Sequence, residues 1–343
     1  MQFDLMTGSQ RWSDAAELAT TLEAEGFSGM LYTETGHVPW MQIAAAAMAA
    51  PSLTFTTGIA VAFPRSPMVS AQIAWELADE TNGKFRLGLG SQVKGHITRR
   101  YATEFSQPAK RMRDYVLAVK ACLRAFRGEE KLNHEGEFYD LSLLPPAWKP
   151  RSHEHGDIKV DISSVGPIMN RVAGEVADGV HVHPMHSLHY IENRLLPEVA
   201  EGADRAGRDM ADIDLIVPVF AVPGDTPEER APLLHRAKTQ IAFYGTTPNY
   251  AFQFEDLGFE GMTQKLGGLM KAGDMAGMAD AITDEMLEHF ALVSTWDEMP
   301  DRLNDRYDGR AARVVMYLTE EGMRKDPDSV HKWGEVARAV AGS

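Results

Sequence analysis

Short apolar runs alternate with longer amphipathic stretches along almost the whole chain. Residues 2–6 form the first run. A helical pattern follows over residues 14–25, with Ala15, Leu18, Ala19 and Leu22 on one face, Ser13 as its cap and Gly26 as its stop. Residues 29–33, 53–62 and 85–90 read as the second, third and fourth strands, the third rich in Thr, Ile and Val. Helical patterns at 42–50 and 67–82 separate them. A strong helix is predicted over 111–127, where Met112, Tyr115, Val116, Val119 and Leu123 share a face. Residues 132–139 read as a small hairpin turning at 134–137. Strands five to eight are expected at 158–163, 179–183, 213–222 and 313–318. The helices between and after them fall at 168–176, 188–206, 227–242, 295–307 and 329–340.

Eight strands alternating with helices predict an α/β fold, a (β/α)8 TIM barrel. A doubly wound sheet is the rival. No composition break or flexible linker divides the chain, so residues 1–343 read as a single domain. Residues 244–286 are too long for a plain connection and are expected to form a lid or wall over the barrel mouth.

Composition narrows the partners. The formal charge of −15 argues against nucleic acid or an anionic membrane as the main partner and leaves a small-molecule substrate. The N-terminus has no basic region followed by an apolar run, and no stretch of eighteen apolar residues exists. Cys122 is the single cysteine, so no intramolecular disulfide forms, and its helical pattern predicts a buried, inert thiol. A cytoplasmic location fits.

Chemistry is expected just after each strand, where a barrel keeps it. The second strand runs into Glu34-Thr35-Gly36-His37, and the third carries Gly58-Ile59. The fourth ends Leu87-Gly88-Leu89-Gly90-Ser91-Gln92-Val93-Lys94-Gly95-His96. That stretch nearly matches two nucleotide motifs. Val93 stands where the dinucleotide fingerprint wants glycine, and His96 where the phosphate loop wants lysine. The fifth strand gives Ser163-Ser164-Val165-Gly166-Pro167 before a helix. Small residues there permit close backbone approach, and free helix N–H groups suit an anion. An ordinary strand–helix turn would look the same. The sixth strand gives His181-Val182-His183-Pro184.

Three pieces in order carry a resemblance: Thr57-Gly58-Ile59-Ala60-Val61-Ala62, the stretch from Leu87 to His96, and Val165-Gly166-Pro167 with Arg171-Val172-Ala173-Gly174-Glu175-Val176-Ala177-Asp178-Gly179. Over nearly its whole length the chain resembles the bacterial luciferase-like flavin and deazaflavin oxidoreductases. Within them it is similar to the branch that uses coenzyme F420. The resemblance implies a non-prolyl cis peptide at Gly58-Ile59 behind the tricyclic ring. It implies Thr35 and His37 beside ring or substrate, Gly90, Ser91 and Gln92 at the pyrimidine or ribityl part, and Ser164, Val165, Gly166 and Pro167 at the phosphate. Val165 departs from the small residue that many relatives carry. Arg65, Lys94 and Arg99 are the basic candidates for the phosphate or the coenzyme's polyglutamate tail. Members are often homodimers.

The implied reaction is hydride transfer, with the coenzyme supplying the hard chemistry. His37 is the first candidate acid/base, since imidazole titrates near neutral pH, and His183 the second. Glu34 is the third catalytic candidate, with orienting a neighbour or facing the barrel wall as its alternatives. Trp40, Phe63 and Trp148 could wall the ring. The alternative on the same fold is FMN with oxygen, a monooxygenase. His181-x-His183 also resembles a metal pair, but the first strand lacks the histidines that metal-dependent barrels place there, so no metal is expected. His153 and His155 are expected to be solvated.

Overall fold

In the computed structural model, which describes residues 1–342, parallel strands close into a barrel with helices between them. The strands are β1 (Gln2–Thr7), β2 (Gly29–Tyr32), β3 (Thr54–Thr57), β4 (Phe85–Gly90), β5 (Lys159–Ser164), β6 (Gly179–Val182), β7 (Asp214–Pro223) and β8 (Arg313–Met316). Neighbours pair in sequence order, and β8 closes on β1 with Gln2 opposite Arg313. The strands read as apolar runs because the parallel arrangement buries both of their faces. All four residues of β2, β6 and β8 are buried.

Charged residues inside the barrel sit toward the amino ends of the strands. Asp4 binds Arg313 through both carboxylate oxygens at 2.6 and 2.7 Å. Arg86 does the same with Asp161 at 2.9 and 2.8 Å and reaches Asp214 at 2.7 Å. These pairs tie β1 to β8 and β4 to β5 and β7. The carboxyl ends are left free for function.

β3 is interrupted. The Gly58–Ile59 peptide is cis, and the chain resumes pairing with β4 as Ala60–Val61. At the interruption the Thr57 hydroxyl replaces the ladder. It accepts from the Gly88 N–H at 2.9 Å and donates to the Gly88 carbonyl at 2.7 Å. A side chain on Gly88 would run into the Thr57 carbonyl, so glycine is required there.

Several boundaries differ from expectation. The first helix is Trp12–Ala24; Arg11 precedes it and caps with no side chain, while Ser13 lies inside its first turn and binds Asp14. The hairpin pairs His134–Glu135 with Asp140–Leu141, so its turn lies later than 134–137. The helix expected at 295–307 is Met299–Tyr307. A further strand, Ala291–Ser294, pairs with the end of β7. Residues 244–286 are largely helical (Phe252–Glu255, Met262–Ala272, Met275–Asp280) and share a second apolar core with the helix Pro227–Gly245. Among the described residues no helix is long and apolar enough to cross a membrane. Cys122 is buried, which pushes its thiol up to about 12.

Candidate functional site

Because the strands are parallel, the loops after β2, β3, β4, β5 and β6 share one rim. The loop after β2 holds Thr35 and His37, both exposed. Ser9, from the loop after β1, fixes it. Its hydroxyl oxygen accepts from the N–H groups of Gly36 and His37 at 3.0 and 2.9 Å and lies 3.0 Å from the Thr35 hydroxyl. Arg100 donates to the Thr35 carbonyl. The buried Gln42 amide lies 3.5 Å from His37 Nδ1, while its oxygen accepts from the Gln10 N–H at 3.3 Å. That contact leaves Nε2 of His37 without a hydrogen-bond partner among the described residues.

Glu34 does not face the rim as a free acid. It is buried, accepting from the Val61 N–H at 2.8 Å and from both terminal nitrogens of Arg65 at 2.8 and 2.5 Å. Arg65 also donates to the Val61 carbonyl at 2.7 Å. This clamp holds the segment after the cis peptide. Arg65 is therefore committed to Glu34, whereas Lys94 and Arg99 stay exposed on the short helix Lys94–Arg99.

Ile59 is half-buried and Gly90 buried beside it; a side chain on Gly90 would meet Ile59. Ser91 and Gln92 follow, half-buried, with Gln92 in the left-handed region at φ +55°.

After β5, the turn at residues 164–167 enters the helix Pro167–Val176. Its Val165 carbonyl is pinned by the Tyr190 hydroxyl at 2.8 Å. The Ser164 hydroxyl is buried with no hydrogen-bond partner. A Cβ on Gly166 would meet nothing within 4 Å. A cavity of about 370 Å³ opens here, lined by Val165, Gly166, Pro167, Asn249, Tyr250 and Phe252. An open glycine and a helix N-terminus at one cavity fit an anionic group such as a phosphate, while the unpartnered Ser164 hydroxyl is buried and does not line the cavity. The second wall of the cavity comes from residues 249–252, so the long segment does cover part of the mouth.

After β6, His183 is half-buried between Tyr244 and Tyr250, each ring centroid 4.6 Å away. Its Nδ1 accepts from the Met185 N–H at 3.1 Å. His186 donates from Nδ1 to the His183 carbonyl at 2.9 Å, and its Nε2 accepts from the Tyr307 hydroxyl at 3.1 Å. Burial pushes both His183 and His186 down to about 4. Their unfolded values lie near 6.5, so between those limits the unfolded chain binds more protons. Stability should therefore fall as pH drops through this window, by up to about 1.4 kcal/mol per pH unit for each histidine. Urea unfolding at pH 7, 6 and 5 checks this, and His186→Gln should flatten the slope.

Other candidates lie elsewhere. His181 is buried inside the barrel, its Nε2 3.7 Å from Asp161. His153 is not fully solvated: it is half-buried, its ring lies 4.1 Å from that of Trp75 at a tilt of 42°, and its Nε2 donates to the Trp75 carbonyl at 3.1 Å. His155 is half-buried too. Trp40 and Phe63 are buried, but Trp148 is 73% exposed and walls nothing. Sequence reading missed Ser9, Gln42, Arg100, His186, Tyr244 and Tyr250. None stands at the end of a strand in a motif of its own.

The luciferase-like monooxygenase family model matches residues 2–313. An uncharacterized protein of Mycobacterium tuberculosis is 36% identical over 301 residues, 88% of each chain. A 5,10-methylenetetrahydromethanopterin reductase of Methanolobus tindarius is 23% identical over 88% of each chain. An F420-dependent glucose-6-phosphate dehydrogenase of Rhodococcus erythropolis is 26% identical, over 64% of this chain and 66% of its own. Among solved structures, the coenzyme F420 dependent tetrahydromethanopterin reductase from Methanopyrus kandleri superposes with a TM-score of 0.79, 18% identity and coverage of 99% and 98%. The oxygenating component of 3,6-diketocamphane monooxygenase from Pseudomonas putida, in complex with FMN, gives 0.67, 17%, and 99% and 98%. With a match over residues 2–313 and the barrel in place, this chain belongs to the luciferase-like monooxygenase family.

Proposed function

We propose that this protein is an F420-dependent oxidoreductase that moves a hydride to or from a small organic substrate. The observation that carries the reading is the cavity at Val165, Gly166 and Pro167, where the helix Pro167–Val176 begins, set on the same rim as His37 and His183. The choice of deazaflavin is supported by the F420-dependent dehydrogenase among the relatives. Ser164, Val165, Gly166 and Pro167 would hold the phosphate. Thr35, Gly58, Ile59, Gly90, Ser91 and Gln92 would line the ring and its polyol. When bound, the coenzyme supplies two-electron hydride chemistry. For an alcohol, the carbon gives up hydride and the oxygen a proton; His37, open to solvent, takes that proton, and returns it in the reverse direction. Glu34 acts as a positioning residue through Arg65 and Val61.

FMN with oxygen is the second reading, favoured by the FMN-bound neighbour of the same fold. Equilibrium titration of the purified chain decides between them. Coenzyme F420 should bind at least about tenfold more tightly than FMN, a difference of about 1.4 kcal/mol. Tighter FMN binding with oxygen uptake would overturn the proposal.

A homodimer belongs to the same proposal. The helix Trp40–Ala49 exposes Met41 at 54% and Met48 at 89%, and Val69 on the neighbouring helix Pro67–Glu80 is 43% exposed. Met41 and Met48, two turns apart on that helix, supply the association face of this proposal. Sedimentation equilibrium should give twice the chain mass, and Met41→Glu with Met48→Glu should return it to a monomer.

A further inference from the structure

The contact between Met185 and His183 decides which ring nitrogen carries a proton. Nδ1 is an acceptor, because the Met185 N–H points at it at 3.1 Å. In the neutral ring Nε2 then holds the hydrogen, and it makes no hydrogen bond among the described residues. The ring cannot easily turn. His186 holds the His183 carbonyl at 2.9 Å and is held in turn by Tyr307. Tyr244 and Tyr250 flank the ring, each at 4.6 Å, and Tyr250 also lines the cavity at Val165, Gly166 and Pro167.

The groups facing His183 carry no formal charge. From the helix Pro227–Gly245 comes Tyr244, whose hydroxyl lies 2.8 Å from that of Tyr317, just past β8. From the turn Pro248–Tyr250 comes Tyr250, and from its own loop His186. Burial raises all three phenols above their usual range and keeps them protonated. Arg306 acts on His186 rather than on His183, and it donates to the Ala291 and Glu288 carbonyls.

We propose that His183 is the substrate's hydrogen-bond donor: its Nε2–H receives an uncharged carbonyl or hydroxyl oxygen between the rings of Tyr244 and Tyr250. This rests on the reading of the protein as an oxidoreductase and sharpens it. His183 polarises the oxygen and keeps its own proton, while proton exchange falls to His37. The substrate class is a neutral ketone or alcohol with apolar flanks. A carboxylate or phosphate would find no cation in this box to offset its desolvation.

The test uses the full chain labelled with ¹⁵N-histidine and read by long-range ¹H–¹⁵N correlation between pH 5 and 8. The His183 signal is assigned by its loss in His183→Gln and its shift in Tyr250→Ala, so one unfolded variant does not remove the assignment. We expect the Nε2–H tautomer at every pH in that range. Acetophenone should shift the Nε2 resonance, while benzoate, its anionic counterpart, should not. A His183 that titrates near pH 6.5, an Nδ1–H tautomer, or an equal response to benzoate would overturn the proposal. Failure of F420 and FMN to bind would instead remove the functional reading, and the tautomer result would stand apart from it.

Discussion

Arg86→Met should destabilise this chain by about 3–5 kcal/mol, read as a lower urea midpoint at pH 7. Asp161 is fully buried, and both its oxygens are held by Arg86. Burial alone would raise its carboxyl; the Arg86 charge and hydrogen bonds, with His181, outweigh that and hold it well below the usual carboxylate range. Removing Arg86 takes both hydrogen bonds from this buried carboxylate and leaves His181 3.7 Å away. Asp214 suffers less, since its side chain keeps 33% of its exposure to water. The sign of the pH dependence follows. In the wild type Asp161 has a depressed folded value, so its contribution is present above pH 4 and lost as the solution is acidified. In the variant the folded value is raised, so acid favours the folded form. The gap between the two proteins should narrow as pH falls from 7 to 4. Arg86→Met combined with Asp161→Leu should recover much of the loss. A variant as stable as the wild type at pH 7 would show that the pair contributes nothing.

The same network shows why the fold was easy to read and its interior was not. Val180 and Val182 in β6, or Leu87 and Leu89 in β4, announce buried parallel strands by their apolar runs. Nothing local says that Arg86 will meet Asp161, 75 residues away. Strand Ala291–Ser294 was missed because it follows the helix Asp284–Phe290 with no glycine or proline between them. Ser13 was read as a cap because serine favours that role, yet the helix begins one residue earlier, at Trp12.

The candidate site divides along the same line. Residues at strand ends were legible, because a barrel places loops after strands: Thr35, His37, Gly90, Ser91, the turn at 164–167 and His183. Their supports were not. Ser9 and Gln42 brace His37 from other elements, and neither type is distinctive in sequence. Tyr244 and Tyr250 fall within the long segment expected only as a lid or wall, and folding sets them on His183. Glu34 was legible as a polar strand-end residue but not as a clamp, since that depends on Arg65 returning to it at 2.5 Å.

The largest effect on turnover is expected from His37. His37→Ala should lower kcat by about 10²–10⁴-fold, the range lost when a positioned acid/base is removed. Cofactor affinity should change by less than about threefold, because the cavity at residues 165–167 is built from the turn after β5 and the long segment rather than from the β2 loop. The loop itself should survive, since Ser9 holds it through the backbone N–H groups of Gly36 and His37, which alanine retains. Added imidazole should restore part of the rate, because His37 is exposed and a small base can reach its place. Gln42→Ala serves as the companion variant. It removes a 3.5 Å contact to Nδ1 without touching Nε2, so it should change kcat less than His37→Ala does and leave no response to imidazole. A His37→Ala enzyme within fivefold of wild type would move the proton transfer elsewhere on the rim. Loss of cofactor binding in that variant would instead make His37 part of the ring pocket.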